Sequence, residues 1–347
     1  MPAPKPITIV GGGLAGLTLG IGLRQAGIPV TVWEAGHYPR HRVCGEFISG
    51  RGQDVLARLG LRESFAQAGS VLARTAAFYL GRARSTVRPL PTPALCLSRF
   101  AMDALLAGRF RQAGGELREN ARWREEDFGE GVVRANGRRR QPHADGCRWF
   151  GLKVHARNVS LAADLEMHGS QTGYVGFCRL PDGEVNVCGL FRQRASKPDE
   201  SQSWKDLLRG QAGTPLWERL AGAALDERSF CSVAGFSLRP HRAAAWSECC
   251  IGDALTMIPP VTGNGMSMAF ESAEMALGPL ADYSCGESSW SQARESVAAA
   301  CDRAFVRRLA WARWLQWMMF TPLLRGWPGS VALHSEGLWR TLFVRTR

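Results

Sequence analysis

Three glycines, Gly11, Gly13 and Gly16, stand in G-x-G-x-x-G spacing within Gly11-Gly12-Gly13-Leu14-Ala15-Gly16, and the acid Glu34 lies 21 residues beyond Gly13. These residue types suit a bound pyrophosphate. Gly11 permits a tight turn, Gly13 has no side chain to hold phosphates off the backbone, and Gly16 lets a helix pack closely on a strand. The first N–H groups of that helix, with their partial positive charge, would face a dianion. Glu34 can accept both hydroxyls of an adenosine ribose, and its charge would repel a 2′-phosphate. Glycine-rich turns are common, so the motif gains its meaning from its flanks. Ile7-Thr8-Ile9-Val10 is a β-branched apolar run, Leu17 to Gln25 has a helical pattern closed by Gly27, and Ile28 to Trp33 is a second strand-like run. The unit is βαβ and its ligand is a dinucleotide, with NAD and FAD both open at this point.

A second constellation lies more than 200 residues away: Gly252-Asp253-Ala254 after the apolar Cys249-Cys250-Ile251, then Pro259-Pro260-Val261-Thr262-Gly263-Asn264-Gly265-Met266. Asp253 ends a predicted strand, where a carboxylate can hold a ribityl hydroxyl. A helix is predicted from Asn264 to Leu280, and its start can stabilise the negative charge of a reduced flavin. Together the two constellations resemble the FAD-dependent oxidoreductases of the p-hydroxybenzoate hydroxylase fold, which pair G-x-G-x-x-G with a distant G-D-A…P-x-x-G-x-G, matched here by Gly252, Asp253, Pro260, Gly263 and Gly265. Within that fold the chain is most similar to the geranylgeranyl reductase-like branch and its related monooxygenases. The resemblance implies FAD as cofactor, with NAD(P)H as a transient hydride donor. It also brings Arg42, Cys44 and Gly45, in Arg40-His41-Arg42-Val43-Cys44-Gly45-Glu46, near the ring, and Arg99 near the cofactor phosphates. Cys44 and Tyr174 are the candidates for a catalytic role.

The elements that must carry these residues form an α/β protein. We expect a discontinuous Rossmann-type FAD-binding domain (1–70, 95–145 and 242–295), an inserted antiparallel β-sheet substrate domain (71–94 and 146–241) and a C-terminal helical segment (296–347). Tyr174 to Leu180 and Glu184 to Phe191, around Pro181-Asp182-Gly183, predict a hairpin, and Leu161 to His168 a preceding strand. The reductase branch carries a Y-x-W-x-F-P pattern on this hairpin. Here Tyr174 is kept, but Gly176 and Cys178 replace the two aromatic residues. Asn136 stands where relatives have an aspartate, and the run between Leu117 and Val132 is short for the usual three-stranded excursion. His155 and His168 read as structural strand histidines.

The function expected is a monooxygenase acting on a hydrophobic aromatic or unsaturated small molecule, with NAD(P)H supplying hydride and O₂ the transferred oxygen. The small residues on the hairpin weaken the lipid-saturating alternative, while Cys44-Gly45-Glu46 and the absence of a His after Gly252-Asp253-Ala254 support a C=C reductase. A flavin-binding protein without turnover is the third reading, motivated by Asn136. The related halogenases are disfavoured because their W-x-W-x-I-P motif is missing; Trp311, Trp314 and Trp317 are spaced by three.

The chain has 347 residues and a net charge of +12, and its cations are overwhelmingly Arg. Apart from Gly137-Arg138-Arg139-Arg140 no dense basic run occurs, so nucleic acid is set aside. The ten cysteines include no C-x-x-C pair, which argues against a metal site and for buried thiols in a reducing compartment. The start of the chain runs directly into a strand, and no stretch of about 20 apolar residues occurs; the chain reads as cytoplasmic. From Arg303 onward there are eight Arg, one Glu and five Trp. One reading is a helix packed on the body with a narrow polar seam at Arg313 and Gln316. The other is a peripheral membrane contact.

Overall fold

The computed structural model describes residues 3–139, 147–170, 172–194, 203–321 and 334–346. Arg140 of the basic run, and 322–333 and Arg347 of the tail, lie outside them.

The apolar runs become strands β1 (Ile7–Val10) and β2 (Val30–Trp33), joined by helix α1 (Leu14–Gln25). Next come β3 (Phe47–Ile48), α2 (Gly52–Arg58), α3 (Arg62–Gln67), β4 (Val71–Leu80), β5 (Ala83–Arg84), β6 (Arg88–Cys96) and α4 (Arg99–Gln112). The chain continues through β7 (Glu116–Arg118), β8 (Val132–Arg134), β9 (Cys147–Arg157), β10 (Leu165–Gly169), β11 (Gly173–Arg179) and β12 (Val185–Arg194). Then follow α5 (Trp204–Arg209), α6 (Pro215–Leu220), β13 (Ala224–Ala234), β14 (Cys249–Cys250), α7 (Gly265–Ser284), α8 (Trp290–Phe320) and α9 (Glu336–Arg345).

A five-stranded parallel sheet in the order β14-β8-β1-β2-β7 is the cofactor side of the molecule. Ile7, Ile9 and Val32 are fully buried in it, as expected of a sheet covered on both faces. β1 is flanked by β2 and β8, which follow it in the chain on opposite sides. Its carboxyl end, where Gly11 sits, therefore opens into the crevice where α/β sheets bind ligands. The second sheet runs β13-β9-β12-β11-β10-β4-β6-β3, with β5 beside β4, and is antiparallel except for the β10–β4 pair. The predicted hairpin is β11–β12, in register from Gly173↔Phe191 to Arg179↔Val185. β3, from the segment assigned to the cofactor domain, joins this second sheet instead, because Phe47 and Ile48 pair with Cys96 and Leu95 of β6.

α8 is clamped to α7 by a buried bidentate pair, with Arg308 Nη1 and Nη2 at 2.7 and 2.8 Å from the Glu271 carboxylate. The seam predicted at Arg313 and Gln316 does not form. Gln316 is buried while Arg313 faces out, with Arg303, Val306, Arg307, Trp314 and Trp317, because α8 packs on the body through Phe305, Leu309, Ala312 and Phe320. Among the described residues no helix is long and apolar enough to cross a membrane.

Candidate cofactor and substrate cavity

One cavity of about 1300 Å³ runs from the carboxyl ends of the parallel strands to the inner face of the second sheet. That exceeds the roughly 300–1,000 Å³ of a typical single-ligand pocket. It is lined by every sequence-predicted site residue except Gly12, Gly16 and Asn264.

The three motif glycines do three different jobs. Gly11 has φ +112° and abuts the Ala135 backbone, so only glycine fits. A Cβ on Gly16 would collide with the Gly11 carbonyl oxygen, which fixes how closely α1 crosses β1. Gly13 is the opposite case: a Cβ there would meet nothing within 4 Å, although the residue caps the buried helix α1. That open space, at the free N–H groups of α1, is a cradle for phosphates. Leu14 and Ala15 line it beside Gly252.

Glu34 is held more tightly than the sequence suggests. Its carboxylate accepts from the Gly12 and Gly36 N–H groups at 3.0 and 2.9 Å and pairs with Arg40 and, at 3.5 Å, Arg42. Burial pushes its pKa up, but the Gly36 N–H and the two guanidinium groups outweigh burial and hold it below the ordinary value. Arg99 is also committed. It forms a bidentate pair with Asp103 at 2.8 and 2.9 Å, and Asp103 takes Arg42 at 3.1 Å as well. The guanidinium expected near the phosphates lines the cavity and shares the one Asp103 charge with Arg42.

Cys44 lines the cavity, and burial raises its pKa despite the nearby Arg99, so the thiol stays protonated. The following residue but one, Glu46, is fully buried at φ +60°. Its carboxylate accepts from the Arg99 N–H at 2.8 Å and meets His155 Nε2 at 2.7 Å and Lys153 Nζ at 3.4 Å. His155 Nδ1 reaches Glu184 at 3.0 Å. A ring between two carboxylates is held doubly protonated, and although burial opposes the charge, Glu184 and Glu46 raise the His155 pKa. Asn186 Nδ2 donates to the Cys44 carbonyl at 2.8 Å. The sheet thus grips the cofactor-side loop through its polar residues. His155 and His168 are both buried against carboxylates, His155 between Glu46 and Glu184 and His168, its pKa lowered by burial, on Glu166, consistent with structural roles.

Asp253 projects into the cavity beyond β14, and the surrounding protein raises its pKa against the opposing pull of Arg138 and Arg99. Pro260, Gly263, Gly265 and Met266 line the wall beside it. Asn264 does not: it is buried, and its Nδ2 donates to the Thr346 carbonyl at 2.7 Å. Tyr174 lines the far part of the cavity; its hydroxyl is buried without a hydrogen-bond partner among the described residues, and burial keeps it protonated.

Sequence reasoning missed several lining residues. Trp33 and Trp123 meet edge-on at 5.1 Å beside Glu34. Arg138 was grouped only with a basic run, yet it reaches the cavity near Asp253. Leu338, Trp339, Leu342 and Phe343 of α9 also face it, and their i, i+4 spacing was the available signal.

Residues 5–150 match the family described as FAD binding domain. The chain is 26% identical over 308 residues to rifampicin monooxygenase of Streptomyces venezuelae, covering 77% of this chain and 62% of that protein. Among solved structures, a flavin-dependent brominase superposes with TM-score 0.75 at 17% identity, covering 99% of this chain and 93% of the other. A geranylgeranyl bacteriochlorophyll reductase-like protein from Thermoplasma acidophilum gives TM-score 0.69 at 16% identity, covering 91% and 88%. The open cradle at Gly13 and a cavity too large for one small ligand fit FAD. Residues 5–150 thus match an FAD-binding domain, and the chain shares the overall fold of these flavin-dependent proteins.

Proposed function

We propose that this protein is an FAD-dependent monooxygenase that transfers oxygen to a hydrophobic aromatic or unsaturated small molecule, using NAD(P)H and O₂. The observation that carries the reading is the single cavity, which joins the Gly13 cradle and Asp253 to an apolar chamber under the second sheet. When bound, FAD supplies the redox chemistry. The chain's own residues supply binding, orientation and exclusion of water. Gly11 and Gly13 would bring the backbone to the pyrophosphate, Arg138, which lines the same cavity, would help balance its charge, and Trp33 and Trp123 suit the adenine. Asp253 can take a ribityl hydroxyl. The start of α7, at Gly265 and Met266, presents unpaired N–H groups toward the ring. Cys44 and Tyr174, both protonated, serve here as neutral contacts rather than nucleophiles.

The test is product mass with NADPH under air and under nitrogen. A product one oxygen heavier, formed only in air, supports the proposal. A product two hydrogens heavier without oxygen would establish the C=C reductase instead, and flavin that NAD(P)H cannot reduce would establish a binding protein without turnover. Asp253→Ala is expected to lose FAD; full flavin content in that variant would remove Asp253 from the site. The same reading includes a peripheral contact with an anionic membrane surface. It is supported by the outward stripe of Arg303, Arg307, Arg313, Trp314 and Trp317 on α8, whose opposite side lines the cavity through Leu315 and Met319.

A further inference from the structure

The second sheet presents unusually small residues to the chamber. On β11 the side chains at 174, 176 and 178 share one face; Tyr174 and Gly176 line the chamber, while the small Cys178 is buried in the cluster that holds Phe343. A Cβ on Gly176 would meet only the backbone oxygens of Cys188 and Glu166, at 3.7 and 3.8 Å, so no side chain fills that space from below. Ala76 on β4 is small as well. The bulk missing from the sheet returns from the far end of the chain. α9 lays Trp339 and Phe343 against Phe78 of β4, with ring centroids 4.8 Å apart for Phe78–Trp339 and 5.4 Å for Trp339–Phe343. Phe343 is buried in one cluster with Ala76, Leu165 and Cys178, and all three rings face the cavity.

α9 is also fixed relative to the cofactor side. Its capping residue, Thr346, is buried, and its carbonyl accepts the hydrogen bond from Asn264, immediately before α7. The aromatic rings are therefore held at a set position from the helix start that faces the cofactor. The wall around them is largely apolar, with Leu90, Leu165, Met167 and Leu342, and Arg88 stands beside Ala76 as a cation in it.

We infer that Phe78, Trp339 and Phe343 form an aromatic subsite that receives a planar, uncharged aromatic ring of the substrate, making the C-terminal helix a wall of the reaction chamber. This rests on the reading of the cavity as an FAD and substrate site and narrows it: a flat ring gains offset or edge-on contacts with three rings, whereas a saturated or isoprenoid chain gains only area. Trp339 and Phe343 are specificity-determining residues in this proposal and take no part in holding FAD.

The test uses the FAD-loaded protein with 2-naphthol and farnesol as probes, read by titration calorimetry and by the shift of the flavin absorbance band. FAD affinity is measured first in wild type, where failure to bind would overturn the cofactor reading, and then in each variant, so that the two failures are seen separately. The expected result is 2-naphthol binding about tenfold tighter than farnesol. Trp339→Leu and Phe343→Leu should each weaken 2-naphthol about fivefold, while Trp339→Phe and the FAD affinity of all three stay within about twofold of wild type. The proposal is overturned if 2-naphthol does not bind wild type, if farnesol binds tighter, or if both Leu variants bind 2-naphthol like wild type. Loss of FAD confined to the α9 variants would overturn it too, since α9 would then be a support for the cofactor.

Discussion

Gly13 and Gly16 belong to one motif, yet the structure separates what they do, and a pair of substitutions can be made to fail in different ways. In Gly16→Ala the new methyl would lie against the Gly11 carbonyl oxygen and 3.2 Å from Ile9 Cγ2, so α1 has to move off β1. Overpacking of this kind costs about 1–3 kcal/mol, and it is felt with no ligand present. In Gly13→Val the backbone, at φ −84° and ψ −171°, already accepts an L side chain, and the Cβ has nothing within 4 Å. The cost to the ligand-free fold is then that of a poorer helix cap, about 1 kcal/mol or less. The branched side chain instead fills the space for the pyrophosphate. Losing two charge-assisted N–H bonds at about 1.5 kcal/mol each gives roughly 3 kcal/mol, more than a hundredfold in Kd. FAD at about 100 times the wild-type Kd stabilises wild type by about 2.7 kcal/mol and this variant by about 0.3 kcal/mol. Denaturant unfolding with and without FAD, together with flavin fluorescence titration, reads both quantities. If Gly13→Val binds FAD like wild type, the cradle is misplaced. If Gly16→Ala is as stable as wild type while Gly13→Val unfolds, the two roles are reversed.

Other consequences follow from pairs outside the cradle. Replacing only Arg308 by Met strands the buried Glu271 carboxylate and should cost about 3–5 kcal/mol in denaturant unfolding, whereas Arg308→Met with Glu271→Leu should recover most of that loss. The raised His155 pKa binds a proton in the folded state that the unfolded chain binds less well. Its contribution is complete below the ordinary imidazole value of about 6.5 and is lost as pH rises through the raised value. The stability gap between wild type and His155→Gln should thus be largest below about pH 6.5 and shrink as pH rises above it; a gap that grows with pH would mean His155 is neutral between its carboxylates. Vesicles containing phosphatidylglycerol should co-sediment the protein at low salt, and Trp314→Ser with Trp317→Ser should weaken this several-fold. Equal binding to neutral phosphatidylcholine vesicles would refute the charge argument.

Much of the cofactor side was legible in the sequence because its determinants are local. Strand β1, the glycine turn and helix α1 are consecutive, and each glycine has a reason that short spacing reveals. The hairpin β11–β12 was legible for the same reason: two β-rich runs flank one turn. What the sequence concealed are partners chosen across the fold. Glu46 was visible only as the third letter of Cys44-Gly45-Glu46, but its charge is balanced by His155, 109 residues away, and the Cys44 carbonyl by Asn186, 142 residues away. Nothing in the sequence neighbourhood of Glu34 and Arg99 announced that Arg40, Arg42 and Asp103 would pair with them. Pattern reading identifies which groups are chemical; it does not count how many lone pairs or charges remain once the chain has folded.

The same limit explains the tail. Gly176 and Cys178 on β11, compared only with the hairpin pattern they interrupt, weaken the lipid-saturating alternative and say nothing about what replaces the missing bulk. In the folded chain Cys178 packs in one cluster with Phe343 and Trp339, from a helix whose end is tied to Asn264, 82 residues back, while Gly176 leaves open space on the same face. Small residues on the sheet and large ones on α9 are two halves of one packing solution, and each half is uninterpretable alone. Substitution at Gly176 should accordingly be coupled to substitution at Trp339. A phenylalanine at 176 introduced alone overfills the chamber, whereas Gly176→Phe with Trp339→Ala restores its volume and moves the aromatic surface back to the sheet. A double-mutant cycle on 2-naphthol affinity should therefore be non-additive. Independent effects at the two positions would mean that the small residues and the C-terminal rings do not share a wall.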